Sequence, residues 1–152
     1  MIGIREATLA DLRAVAGAMR ESDRKRCMDI AGLSPMASLM RCWRKSSRRR
    51  FASVDGQPAA LWGVKAESLI GGTAAAWLVI TRHAEKVPVS LVRLARSELR
   101  EIASIYPEIV DMAPIDDPRL LKFVRALGFK IGPDRIEVGD LGSFYLCKLE
   151  AI

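Results

Sequence analysis

The dipeptide Asp55-Gly56 stands between two strand-like runs, Arg50-Phe-Ala-Ser-Val54 and Ala59-Ala-Leu-Trp-Gly-Val-Lys65. Asp-Gly suits a two-residue hairpin turn, because both central residues must take positive φ to match the twist of the flanking strands. A second turn at Gly71-Gly72 leads into a third run, Ala74-Ala-Ala-Trp-Leu-Val-Ile-Thr81. Three successive antiparallel strands make a meander, which excludes the alternating βαβ order of a doubly wound parallel sheet. The third run then passes through Arg82-His-Ala-Glu-Lys-Val87 into an amphipathic stretch opened by Pro88. A strand feeding a helix through a short loop is where α/β proteins hold phosphate-bearing ligands, because the first N–H groups of the helix lack internal partners.

Before the meander, Ile2-Gly-Ile-Arg-Glu6 alternates as a half-wet strand does, and Thr8-Leu-Ala-Asp11 reads as a capping box. Leu12, Val15, Ala16 and Met19 follow at helical spacing. Glu21 to Arg26 is polar; Cys27, Met28, Ile30 and Ala31 resume an apolar pattern that Gly32 stops. Ser34-Pro35 starts a further helix, with Met36, Leu39, Met40 and Trp43 inward. After the meander the spacing predicts a helix from Pro88 to Tyr106. Leu91, Leu94, Ala95, Leu99, Ile102, Ile105 and Tyr106 form its inner side, and Arg93, Arg96, Ser97, Arg100 and Ser104 its outer side. Pro107 ends it, and Ile109-Val-Asp-Met-Ala113 is a strand suited to lie parallel to the one at Ala74. Asp117-Pro118 caps a helix that buries Leu120, Leu121, Val124 and Leu127 and closes at Gly128. Phe129-Lys-Ile131 and Phe144 to Leu149 are the last strands.

With 152 residues, half of them hydrophobic, the expectation is one domain over 1–152 whose core needs neither disulfides nor a metal. The apolar runs fall well short of the ~20 residues of a membrane span, and no basic-then-apolar leader opens the chain, so a soluble, unexported protein is expected. Three cysteines without CxxC spacing and a single histidine point to buried thiols and to no metal site. The net charge of +6 is concentrated at Arg41, Arg44, Lys45, Arg48, Arg49 and Arg50. That cluster reads either as a solvated helix face or as a patch for an acidic partner, nucleic acid included.

The order strand, helices, three-stranded meander, strand-loop-helix, strand, helix, two strands resembles the GCN5-related N-acetyltransferase (GNAT) fold. Three local motifs carry the resemblance: Ile4-Arg-Glu-Ala-Thr-Leu-Ala-Asp-Leu12 at the opening, Asp55-Gly-Gln-Pro58 at the first meander turn, and Leu120-Leu-Lys-Phe-Val-Arg-Ala-Leu-Gly-Phe129 at the closing helix. The resemblance implies an α+β, three-layer domain with a mixed, mostly antiparallel central sheet of about six to seven strands flanked by about four to five helices. It also implies acetyl-CoA as cofactor, its pyrophosphate cradled by an Arg/Gln-x-x-Gly-x-Gly/Ala loop. Here Arg82 fits the first position, but Glu85 and Val87 replace the glycines, His83 and Lys86 lie between, and Pro88 removes one N–H. A carboxylate repels phosphate, and a β-branched residue resists the backbone angles of glycine.

The position four residues before the glycine of "LGF", where many relatives carry a proton-donating tyrosine, is Val124, and Ala74 to Ile80 contains no carboxylate base. His83, Glu67 and Tyr106 are further candidates with no supporting pattern. Together with Met19-Arg-Glu-Ser-Asp-Arg24, these losses resemble the GNAT-like internal virion proteins of tailed bacteriophages, the short-tailed ones especially. That narrower resemblance implies no catalytic residue and no cofactor. It implies a component of the virion or its assembly pathway, in the particle or the host cytoplasm, working through other phage structural or assembly proteins or through self-association. The alternative is an active N-acetyltransferase in which Arg82 and Lys86 hold the phosphates of acetyl-CoA. A third reading makes the Arg41–Arg50 cluster a DNA-contacting surface.

Overall fold

The computed structural model of the chain describes residues 1–66, 72–84, 89–137 and 142–150. In chain order it runs β1 (Ile2–Glu6), α1 (Leu9–Gly17), α2 (Glu21–Ala31), α3 (Pro35–Lys45), β2 (Arg48–Val54), β3 (Gln57–Ala66) and β4 (Thr73–Ile80). A 3₁₀ turn (Arg82–Ala84) follows, then α4 (Val89–Ala103), β5 (Glu108–Pro114), α5 (Pro118–Ala126), β6 (Lys130–Glu137) and β7 (Ser143–Glu150). The strands hydrogen-bond in the order β1-β2-β3-β4-β5-β7-β6. The β1–β2, β2–β3, β5–β7 and β6–β7 pairs are antiparallel and β4–β5 is parallel, the mixed sheet implied by the resemblance. By compactness the chain forms two units, Met1–Val64 with Trp77–Lys86, and Lys65–Ala76 with Val87–Ile152.

In the first unit, the expected capping box opens α1: the Thr8 hydroxyl accepts from the Asp11 N–H at 3.3 Å, and the Asp11 carboxylate accepts from the Thr8 N–H at 2.8 Å. Asp11 also takes both prongs of the Arg5 guanidinium, at 2.5 and 2.8 Å, while that guanidinium stacks 4.9 Å above the Phe51 ring. Leu12 and Val15 of α1, with Met19 just beyond it, pack with Leu39 and Trp43 of α3 and with Phe51 and Leu61 of the sheet. The hairpin turns as expected, with φ of 50° at Asp55 and 78° at Gly56 and Val54 facing Gln57. Gly63 of β3 has a different reason to be glycine. A Cβ there would lie 2.6 Å from Cε2 of Trp77, whose indole crosses the strand and donates to the Ser46 hydroxyl at 2.6 Å.

Glu21–Arg26, expected only as a polar segment, is the start of α2. Asp23 bridges Arg20 and Arg26 at 2.9 and 2.8 Å. Arg24 donates to the carbonyls of Ala16, Gly17 and Met19 at 3.0, 3.1 and 3.3 Å, satisfying oxygens left open where α1 ends. Side chains that look like a polar interruption therefore hold two helices in register.

In the second unit α4 (Val89–Ala103) ends earlier than expected, at Ala103, and buries Leu91, Ala95, Leu99 and Ile102; Pro88, where it was expected to open, lies outside the described residues. Leu94 and Ile105, expected inward, are 44% and 62% exposed, and Tyr106 is half-buried beyond the helix end. α5 buries Leu120, Phe123 and Val124, with Leu121 half-buried. β6 starts one residue later than expected and runs on to Glu137, its register against β7 interrupted between Ile131 and Arg135. Among the described residues, no helix is long and apolar enough to cross a membrane.

Candidate active site

β4 delivers the chain to Thr81, which is fully buried and tied on every side. Its N–H donates to the Ala59 carbonyl at 2.9 Å, its hydroxyl donates to the Pro58 carbonyl at 2.6 Å, and it bridges Met19 just beyond α1. The next three N–H groups are also committed. That of Arg82 goes to the Ala18 carbonyl at 3.2 Å, that of His83 to the Thr81 hydroxyl at 3.1 Å, and that of Ala84 to the Thr81 carbonyl at 3.1 Å. A backbone cradle for pyrophosphate therefore takes no donor from Arg82–Ala84. Of the side chains in this turn, Arg82 is exposed and His83 half-buried. Glu85, Lys86, Val87 and Pro88, and also Glu67, lie outside the described residues.

The basic cluster is divided between two elements. Arg41, Arg44 and Lys45 are exposed on α3, whereas Arg48, Arg49 and Arg50 are half-buried on β2. Arg49 stacks 4.4 Å over the Trp43 ring and donates to the Trp43 carbonyl at 2.9 Å, and Arg48 and Arg50 have interactions of their own. Trp43 and Trp62 are buried, so neither marks an apolar interface. Val124 is also buried, in the position expected for a proton donor. Among the described residues, no group of histidine, cysteine and carboxylate side chains could hold a metal.

The residue that the sequence reading passed over is Asp111, in the middle of β5. It faces Cys147 directly across the β5–β7 ladder and shares a strand face with the fully buried Ile109 and Ala113. Asp111 is half-buried, and desolvation pushes its carboxyl up to about 7 despite the Met112 N–H that it accepts at 2.7 Å. Cys147 is fully buried; burial, then the charge of Asp111, pushes its thiol up to about 11. A thiol so raised is not a nucleophile at neutral pH, whereas a carboxyl that titrates near 7 accepts and returns a proton readily. The visible signal was a single carboxylate on an otherwise apolar strand, Ile109-Val-Asp-Met-Ala113.

No protein-family model matches the sequence, and no curated protein matches it. Solved structures do match over the whole chain. Ard1 from Thermoplasma volcanium is 15% identical with a TM-score of 0.71, the match covering 99% of this chain and 98% of that one. The yncA protein of Salmonella typhimurium, solved with its cofactor acetyl-CoA, is 14% identical with a TM-score of 0.70, covering 99% and 94%. A GNAT-family acetyltransferase from Streptococcus pneumoniae is 13% identical with a TM-score of 0.64, covering 100% of both chains. The chain has the GNAT fold.

Proposed function

We propose that this chain is an acyl-CoA-dependent N-acyltransferase in which Asp111 is the proton acceptor. The observation that carries the reaction class is the whole-length likeness to acetyltransferases, one of them solved with acetyl-CoA. In such a transfer the amine nitrogen bonds to the thioester carbonyl carbon, the carbon–sulfur bond breaks, and the amine proton passes to Asp111 and from it to the departing thiolate, so that the thiol leaves neutral and the carboxylate is restored. Asp111 supports its role by holding a proton affinity near neutrality, where a general base is both available and effective. With the N–H groups of Arg82–Ala84 spent, what these three residues offer the donor's phosphates is side-chain charge, for which the exposed Arg82 is suited.

A non-catalytic role in a virion has less to support it. Its specific signal, Met19–Arg24, is accounted for by the bonds of Arg20, Asp23 and Arg24 that join α1 to α2. The test is thiol release from acetyl-CoA in the presence of a panel of amines. Turnover is expected, with kcat/KM rising with pH through about 7, where Asp111 deprotonates. Asp111→Asn should lower it about 10²-fold or more. Absence of both acetyl-CoA binding and thiol release would overturn the proposal.

A further inference from the structure

The second unit contains a cavity of about 860 Å³ between the C-terminal half of α4 and the β6–β7 pair. Four cations line it: Arg96 and Arg100 of α4, Lys130 of β6 and Lys148 of β7. Arg96 and Arg100 are one helical turn apart and so share a face. Lys130 and Lys148 are direct cross-strand partners, an arrangement in which like charges weaken a sheet. The carboxylate in the lining is Asp134, and none of the four cations enters an ion pair among the described residues. The register break between Ile131 and Arg135 takes Gly132–Asp134 out of the regular ladder, and these residues form part of the wall. Irregularities of this kind commonly stand next to binding sites. Leu99, Leu127 and Leu146 supply an apolar remainder.

We propose that this cavity binds an organic phosphate, a small molecule with two or more negative charges on phosphate oxygens and an apolar or planar body. Its volume lies within the range of about 300–1,000 Å³ typical of small-molecule sites. Guanidinium forks are suited to phosphate oxygens, and the lysine pair gains its counter-charge when the ligand arrives. A nucleic-acid track would spread cations along a face; here they converge on one concavity. The site is distinct from an acyl-donor site at the start of α4, because Arg100 lies eleven residues beyond Val89, about 16 Å along the helix. The proposal does not depend on the acyl-transfer reading.

Calorimetric titration of the intact chain with ADP and with inorganic pyrophosphate, in low salt, tests it. ADP is expected to bind one per chain, at least tenfold more tightly than pyrophosphate, and to weaken as salt is raised. Arg96→Gln with Arg100→Gln should weaken ADP at least tenfold, and so should Lys130→Gln with Lys148→Gln. The control pair Arg41→Gln with Arg44→Gln, in the first unit, should change it by no more than about twofold. Thermal unfolding confirms that each variant is folded. Absence of ADP binding, equal affinity for pyrophosphate, or an equal loss in the control pair would each overturn the proposal.

Discussion

Asp11 and Asp111 are displaced in opposite directions, and their contributions to stability carry opposite signs. The guanidinium of Arg5, followed by the Thr8 bonds, holds Asp11 below the usual carboxylate range against the opposing effect of burial. Its stabilisation is therefore present above about pH 4 and lost as pH falls through the lowered folded value. Asp111 does the reverse: the fold favours its neutral form, so stability falls as pH rises from about 4 to about 7. Asp11→Asn should destabilise the chain by about 1 kcal/mol at pH 7, limited by the solvent around Arg5, with the deficit closing in urea titrations as pH falls through the lowered folded value. The opening motif was legible because its partners lie within seven residues of one another, from Arg5 to Asp11. Asp111 was not, since its displacement is made by desolvation, which depends on what the rest of the chain packs around it.

Among the elements, the hairpin, the α1 cap and the close of α5 at Gly128 follow from local chemistry and were readable from turn and cap residues alone. The face of α4 was not. Leu94 sits at the margin of its apolar stripe, where neighbouring elements, not periodicity, decide what is covered, and Ile105 falls beyond the helix end at Ala103. α2 shows the converse: a stretch too polar to announce a packed helix is held by Asp23 between two arginines and by Arg24 on three carbonyls. The pairing of β3 with the Trp77 indole yields a sharp expectation. Gly63→Ala should cost about 1–3 kcal/mol by overpacking, and more if the indole leaves Ser46. Chemical unfolding measures it, and an unchanged midpoint would contradict the close approach.

For the whole molecule, the connection order supported the GNAT fold from sequence, and the sheet order and full-length structural likeness show it. Function was less legible because the substituted glycine positions direct attention to one loop, while the titrating carboxyl lies on the following strand. The boundary between the two compact units falls inside β4, between Ala76 and Trp77. Each unit is therefore assembled from separated pieces of sequence, and no single cut can release either one whole. A fragment ending at Val64 would lack Trp77 and Thr81, and with them the bonds to Ser46, Pro58 and Ala59. Such a fragment should show no cooperative thermal transition, whereas 1–64 mixed with a peptide of 73–86 should recover one. The divided strand thus makes truncation an unsuitable way to isolate the titrating carboxyl or the basic cavity, and complementation between fragments the informative one.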